Sequence, residues 1–279
     1  MATIFPNFAR MCSTAPAAAV GLGIAMTALL AVAGPSAAVE IAPHRALYTL
    51  TLESAKPGSG VLGATGTMLY EWGEACDAWT VKQDFDLDLA YEDSDEVKLG
   101  SSMVSWESKD GLRYRFNERR TKNGELDEEI RGNAQLEGPE KGGRAEFTRP
   151  EAKAMKLAPR VLFPTIHTVA LIEGALAGET FIQREVFDGA TVDNAGPITA
   201  IVLPGGPKEK ELDSPLLKGK SWRMHLAFFP SDPQADRPDY ELTMRLYENG
   251  VSTEMSLDYS DYVIRAKLDE IESLPRPNC

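Results

Sequence analysis

The sequence predicts an all-β, mostly antiparallel fold. Three observations carry that expectation. Apolar and polar residues alternate with period two over most of the chain, tight-turn dipeptides fall between the alternating runs, and a single segment shows helical spacing. Strands that bury one face and wet the other give this alternation, as antiparallel sheets do.

The elements follow in chain order. Arg10 is the only charged residue before Glu40, an apolar run covers Ala17 to Ala33, and Ser36-Ala37-Ala38 supplies small residues for cleavage. Residues 1–38 therefore read as an export signal, removed near Ala38 so that the mature chain starts at Val39. A retained anchor is the competing reading, but the run is short and weakly flanked by charge for a membrane span. Phe8-Ala9-Arg10-Met11 before Cys12 does not form a lipobox.

In the mature chain, Val81, Gln83, Phe85, Leu87 and Leu89 alternate with Lys82, Asp84, Asp86 and Asp88. Leu112, Tyr114 and Phe116 alternate with Arg113, Arg115 and Asn117; Tyr240, Leu242, Met244 and Leu246 form a third stripe, and Val251 to Tyr259 a fourth. Strand-like runs also lie near 46–53, 64–72, 97–107, 126–131, 144–148, 180–187, 197–203, 221–229 and 261–272. Asp110-Gly111, Asn123-Gly124 and Asn249-Gly250 are hairpin dipeptides, because tight turns demand positive φ that Asn, Asp and Gly tolerate.

Thr165 to Ala177 breaks the pattern. Ile166, Val169, Ile172 and Leu176 recur at helical spacing, Thr165 is placed to cap the start, and Gly178 follows as a stop, although Gly174 weakens the helix. This helix divides residues 39–279, expected to form a single β-rich domain, into strand-rich halves of about 39–150 and 179–279. Pro204 to Lys220 and Ser231 to Pro238 read as exposed loops.

Loss of the leader takes Cys12 with it and leaves two cysteines, Cys76 and Cys279. Two cysteines in an exported chain predict a disulfide that ties the C-terminal tail to the first third of the fold. The formal charge of −13 becomes −14 after cleavage. Such an acidic balance argues against nucleic acid as partner and against electrostatic docking on anionic lipid.

No catalytic constellation stands out. A nucleophile elbow, a Walker A sequence and a dinucleotide fingerprint are absent from the sequence. His44, His167 and His225 lack metal-ligand spacing, so neither a metal nor a cofactor is expected. His167, in the first turn of the helix, could serve as acid or base; the plainer expectation is that it hydrogen-bonds nearby backbone. Asp84, Asp86 and Asp88 read as a solvated strand face, and Glu125, Asp127, Glu128 and Glu129 as a solvated acidic cluster that could at most hold calcium weakly. Trp72 and Trp79 flank Cys76, where they either pack around the disulfide or line a ligand cleft.

A family resemblance enters on ordered segments: Leu162-Phe163-Pro164-Thr165-Ile166-His167-Thr168, Trp222 to Pro230, Glu248-Asn249-Gly250-Val251-Ser252, Leu257-Asp258-Tyr259 and the Leu274-Pro275-Arg276-Pro277-Asn278-Cys279 tail, with the Cys76 segment. Together they resemble the EipB family of alphaproteobacterial envelope-integrity proteins, over about residues 40–279. The resemblance implies a periplasmic, non-enzymatic protein that maintains the cell envelope and a large antiparallel sheet curled into a spiral or incomplete barrel. It also implies the Cys76–Cys279 bond and a tetratricopeptide-repeat periplasmic partner. No catalytic residues are carried over. A protein-interaction module is thus the first expectation, and a carrier of a lipid or other apolar ligand the second, with helix 165–177 able to gate a cavity.

Overall fold

A computed structural model describes residues 39–92, 95–192, 195–208, 212–232 and 234–279; the expected leader and Cys12 lie outside them. The N-terminal half supplies β1 (His44–Ala55), β2 (Val61–Glu74), β3 (Ala78–Tyr91), β4 (Val97–Ser108), β5 (Arg113–Lys122), β6 (Glu125–Leu136), β7 (Gly143–Arg149) and β8 (Lys153–Leu157). The helix α1 (Pro164–Ala177) follows. The C-terminal half supplies β9 (Phe181–Val186), β10 (Gly196–Pro204), β11 (Ser221–Phe228), β12 (Tyr240–Tyr247), β13 (Ser252–Asp258) and β14 (Tyr262–Ser273). A short 3₁₀ turn, Pro215–Leu217, interrupts the loop before β11.

All fourteen strands join one antiparallel sheet, in the order β8-β7-β6-β5-β4-β3-β2-β1-β14-β13-β12-β11-β10-β9. Each half is a run of hairpins, and the halves meet where the first strand pairs with the last, Ala46 opposite Ile271 and Leu50 opposite Ala266. Asn123 and Gly124 take φ values of 54° and 82° in the β5–β6 turn, the positive-φ pair that a two-residue hairpin requires. Register shifts at β1, β2, β12 and along β6 mark bulges, which add local twist. Gly66, midway along the β2–β3 ladder opposite Leu87, allows the two strands a close approach, since a Cβ there would meet the Asp86 carbonyl at 2.0 Å.

The sheet curls until its ends approach each other without pairing. The segment after β9 lies against the inner side of the far half. Tyr114 of β5 donates to the Asp188 carbonyl at 2.9 Å, and Lys153 of β8 reaches the Val192 carbonyl at 2.7 Å. Phe187 stacks edge-on among Phe116, Phe147 and Phe163. Between β8 and β9 there is no ladder, so the sheet is an unclosed spiral, as expected.

Two apolar clusters fill the concave side. The larger runs from β2 and β3 across β1 and β14 to β10, and takes in Leu171, Ile172 and Ala175 of α1. The smaller gathers Tyr114, Phe116, Phe147 and Phe163. Gly174 marks where the helix meets β9, since a Cβ there would sit 2.6 Å from Ile182. Gly178 ends the helix at φ 83°, as the sequence predicts. The start differs from expectation. Pro164 occupies the first helical position, Phe163 is the N-cap, and Thr165 makes no cap at all.

Candidate functional site

The helix start is capped from another strand. Glu107 of β4 points inward and is buried, and its carboxylate accepts the backbone N–H groups of Thr165 at 2.7 Å and Ile166 at 2.9 Å. The orphan donors of a helix N-terminus favour such an oxygen acceptor. Burial nevertheless pushes the Glu107 carboxyl up to about 7. One turn further on, His167 is also buried, and its Nε2 has no hydrogen-bond partner. The expected bond from His167 to nearby backbone is therefore not made by that nitrogen. Burial first, then the charge of Arg184, holds its pKa down to about 4.

Opposite pH dependences follow. Glu107 binds its proton more tightly in the fold, so its contribution to stability falls as pH rises from its ordinary value through about 7. His167 resists protonation in the fold, so its contribution is lost as pH falls through about 4. Each change is about 3 kcal/mol. Glu107→Gln removes one of them. Relative to the wild-type protein, that variant is expected to lose about 3 kcal/mol more between pH 7 and pH 4.5. Urea denaturation at a series of pH values checks this, and parallel curves for the two proteins would refute it.

The remaining sequence candidates are scattered. His44 is buried, with Nδ1 2.8 Å from the Ala42 carbonyl, and burial lowers its pKa. His225 lies on the outer, convex face beside Thr243 and Glu241. Among the described residues, no group of three His, Cys, Asp or Glu side chains is placed to hold a metal. Asp84 accepts Ser102 Oγ and an ion pair from Lys82, which together hold its carboxyl below the usual range. Glu128 departs from the expected solvated cluster. The bulge beside it turns it inward to Arg120, 2.9 Å away.

Cys76, in the turn between β2 and β3, is bonded to Cys279, with Cα atoms 5.7 Å apart and a sequence separation of 203. Around it the tail is held by Leu274 N–H on the Pro43 carbonyl and by Arg276 on Glu40 and Glu74. Trp72 is buried in the larger cluster, edge-on to Trp79, so it is core rather than a cleft wall.

Two features escaped the sequence reading. One is an inner wall of apolar side chains that keep solvent contact: Phe85, Leu99, Phe228, Tyr240 and Leu242. The alternation places them inward, but only the curl leaves them short of full burial. The other is the β9 edge. Leu162 bonds to the Glu185 carbonyl and the Phe187 N–H, so by period two Phe181 and Gln183 also turn their backbone groups away from β10. Arg184 takes the Gln183 carbonyl. On the outer face Phe181, 58 % exposed, stands opposite Ile201, 47 % exposed.

A family model described as EipB-like matches residues 35–275. The chain belongs to the EipB-like family. It is 32 % identical over 266 residues to the cell envelope integrity protein EipB of Brucella abortus (strain 2308), covering 92 % of this chain and 93 % of that protein. A crystal structure of a β-barrel-like protein of domain of unknown function DUF1849, also from Brucella abortus, superimposes with a TM-score of 0.77 at 29 % identity. That match covers 85 % of this chain and all of the other. Among the described residues, no helix is long and apolar enough to cross a membrane.

Proposed function

We propose that this EipB-like chain maintains cell-envelope integrity from the periplasm, without catalysis, by holding an envelope protein at the open edge of its sheet. The observation that carries the reading is β9: an edge strand whose Phe181 backbone groups point away from β10 and, among the described residues, meet no partner, beside the exposed Phe181–Ile201 pair. Strand addition uses such an edge for affinity and neighbouring side chains for specificity. The disulfide suits an oxidising, exported compartment, and the envelope role is supported by the family. A photo-crosslinking residue at Phe181 is expected to capture one envelope protein, whereas the same residue at Lys267, on the outer face of β14, is not. Equal capture from both positions, or none from Phe181, overturns the reading. A tetratricopeptide-repeat protein is the partner this proposal anticipates.

The second reading, a carrier of an apolar ligand, is favoured by the partly buried inner wall of Phe85, Leu99, Phe228, Tyr240 and Leu242. Surfaces that are concave and apolar take up lipid chains. Identical native and delipidated masses for the purified protein would remove it.

A further inference from the structure

The outer face of β4 to β7 carries positive charge that the acidic composition conceals. Alternation turns Tyr114, Phe116 and Ile130 inward, which leaves Arg113, Arg115, Arg119 and Arg131 exposed on the convex side. A bulge in the β6–β7 pairing sets Arg149 directly opposite Arg131. In the adjoining register, Trp106 stands opposite Arg115, and Val104 opposite Asn117, which in turn faces Arg131. By strand spacing and rise this is a sheet surface about 20 Å on a side.

These arginines are not neutralised. Among the described residues, no carboxylate lies within ion-pair distance of any of the five, and the bordering acids Asp84 and Glu146 are already engaged by Lys82 and Arg144. Two acids act on the array itself: Glu129 stands opposite Arg119, and Asp110, in the turn before β5, feels the charge of Arg113. Arg113 and Arg115 instead lie over the Trp106 ring, at 5.4 and 5.1 Å from its centre. Like charges directly opposite across strands, as Arg131 and Arg149 are, destabilise a sheet. Folding alone gives no reason to place them there.

We propose that this face docks on an anionic phospholipid surface. Guanidinium groups bind phosphate in a fork. Trp106, with Val104 beside it at 48 % exposure, supplies the apolar contact that aromatic and aliphatic side chains make at headgroup depth. A two-dimensional array of cations spread over a convex face fits a membrane surface better than an extended acidic peptide, which fits a groove. The net charge of −13, which taken over the whole chain argues against such docking, is outweighed at this face. Screening limits the interaction to charges within about 8 Å of the surface, and the acidic remainder of the molecule orients this face toward the bilayer.

Sedimentation of the purified, oxidised protein with vesicles provides the test. Binding is expected to phosphatidylcholine vesicles containing about a third phosphatidylglycerol, to be absent from pure phosphatidylcholine, and to fall steeply as salt rises from about 50 to about 300 mM. The variant Arg115→Gln/Arg131→Gln/Arg149→Gln is expected to bind the anionic vesicles about a hundredfold more weakly, with a melting temperature no lower than that of the wild-type protein. Equal binding to both vesicle types, no binding at the lower salt, or full binding by the variant overturns the proposal. So does saturation of this face by a polyglutamate peptide that vesicles fail to displace. The lipid and salt series needs no variant, so it decides the matter even if the substitutions impair folding.

Discussion

Replacing Cys76 or Cys279 by Ser is expected to lower stability by about 5 kcal/mol, the loop-entropy value for a bond that spans roughly 200 residues. The effect is large because of where the bond sits. β1 and β14 pair at the centre of the sheet, although they come from opposite ends of the chain. Bringing such distant segments together is the costliest closure the fold must make. The disulfide ties the residues just after β14 to the turn just after β2, next to that pairing. Without it, the polar contacts that hold the tail beyond Ser273 to the described residues are the Leu274–Pro43 hydrogen bond and those of Arg276. The Arg276 pairs are half-exposed and individually weak. Urea melts of oxidised protein, reduced protein and the Cys76→Ser variant measure the effect. Equal midpoints would show that noncovalent contacts close the sheet unaided.

Much of this architecture is legible in the sequence because it is local. The Asn123-Gly124 and Asn249-Gly250 turns and the alternating stripes around them fix hairpins by themselves, and Gly178 ends the helix where the pattern predicts. What is illegible depends on partners far along the chain. Lys153 to Leu157 forms β8 without an alternating stripe long enough to reveal it, because it borrows its order from β7. The helix cap is Glu107, 58 residues before Thr165, so the local Ser/Thr rule points to the wrong side chain. Glu128 turns inward because of a bulge, and no composition rule anticipates a bulge. Arg113 and Arg115 are visible as the polar half of a stripe. That they share a surface with Arg149 depends on the register across three strands, so a net charge taken over the whole chain hides them.

The second large effect is expected at Arg245, whose side chain is 0 % exposed although it lies on the convex side of β12. Its guanidinium donates to Glu254 at 2.8 Å, to the Gly205 carbonyl at 2.7 Å and to the Pro207 carbonyl at 2.7 Å. Arg245→Met should cost about 4 kcal/mol, because it leaves Glu254, itself only 17 % exposed, without its buried cation. The loop that begins at Gly205 loses one of its anchors as well, keeping those of Lys208 on Tyr247 and Asn249 on Leu216. That loop carries Leu216 and Leu217, which pack on Tyr247 and Val251. Trypsin is therefore expected to cut the variant at Lys218 or Lys220 well before global unfolding, whereas the wild-type protein resists. A stability change below about 1 kcal/mol, the range of an ordinary surface substitution, would mean that the loop holds itself in place. Arg245 and the arginines of β5 and β6 thus differ in a way that bears on function. The first is spent on covering the convex face at β11 and β12, while the others stay exposed on the convex face and, among the described residues, none has a carboxylate within ion-pair distance.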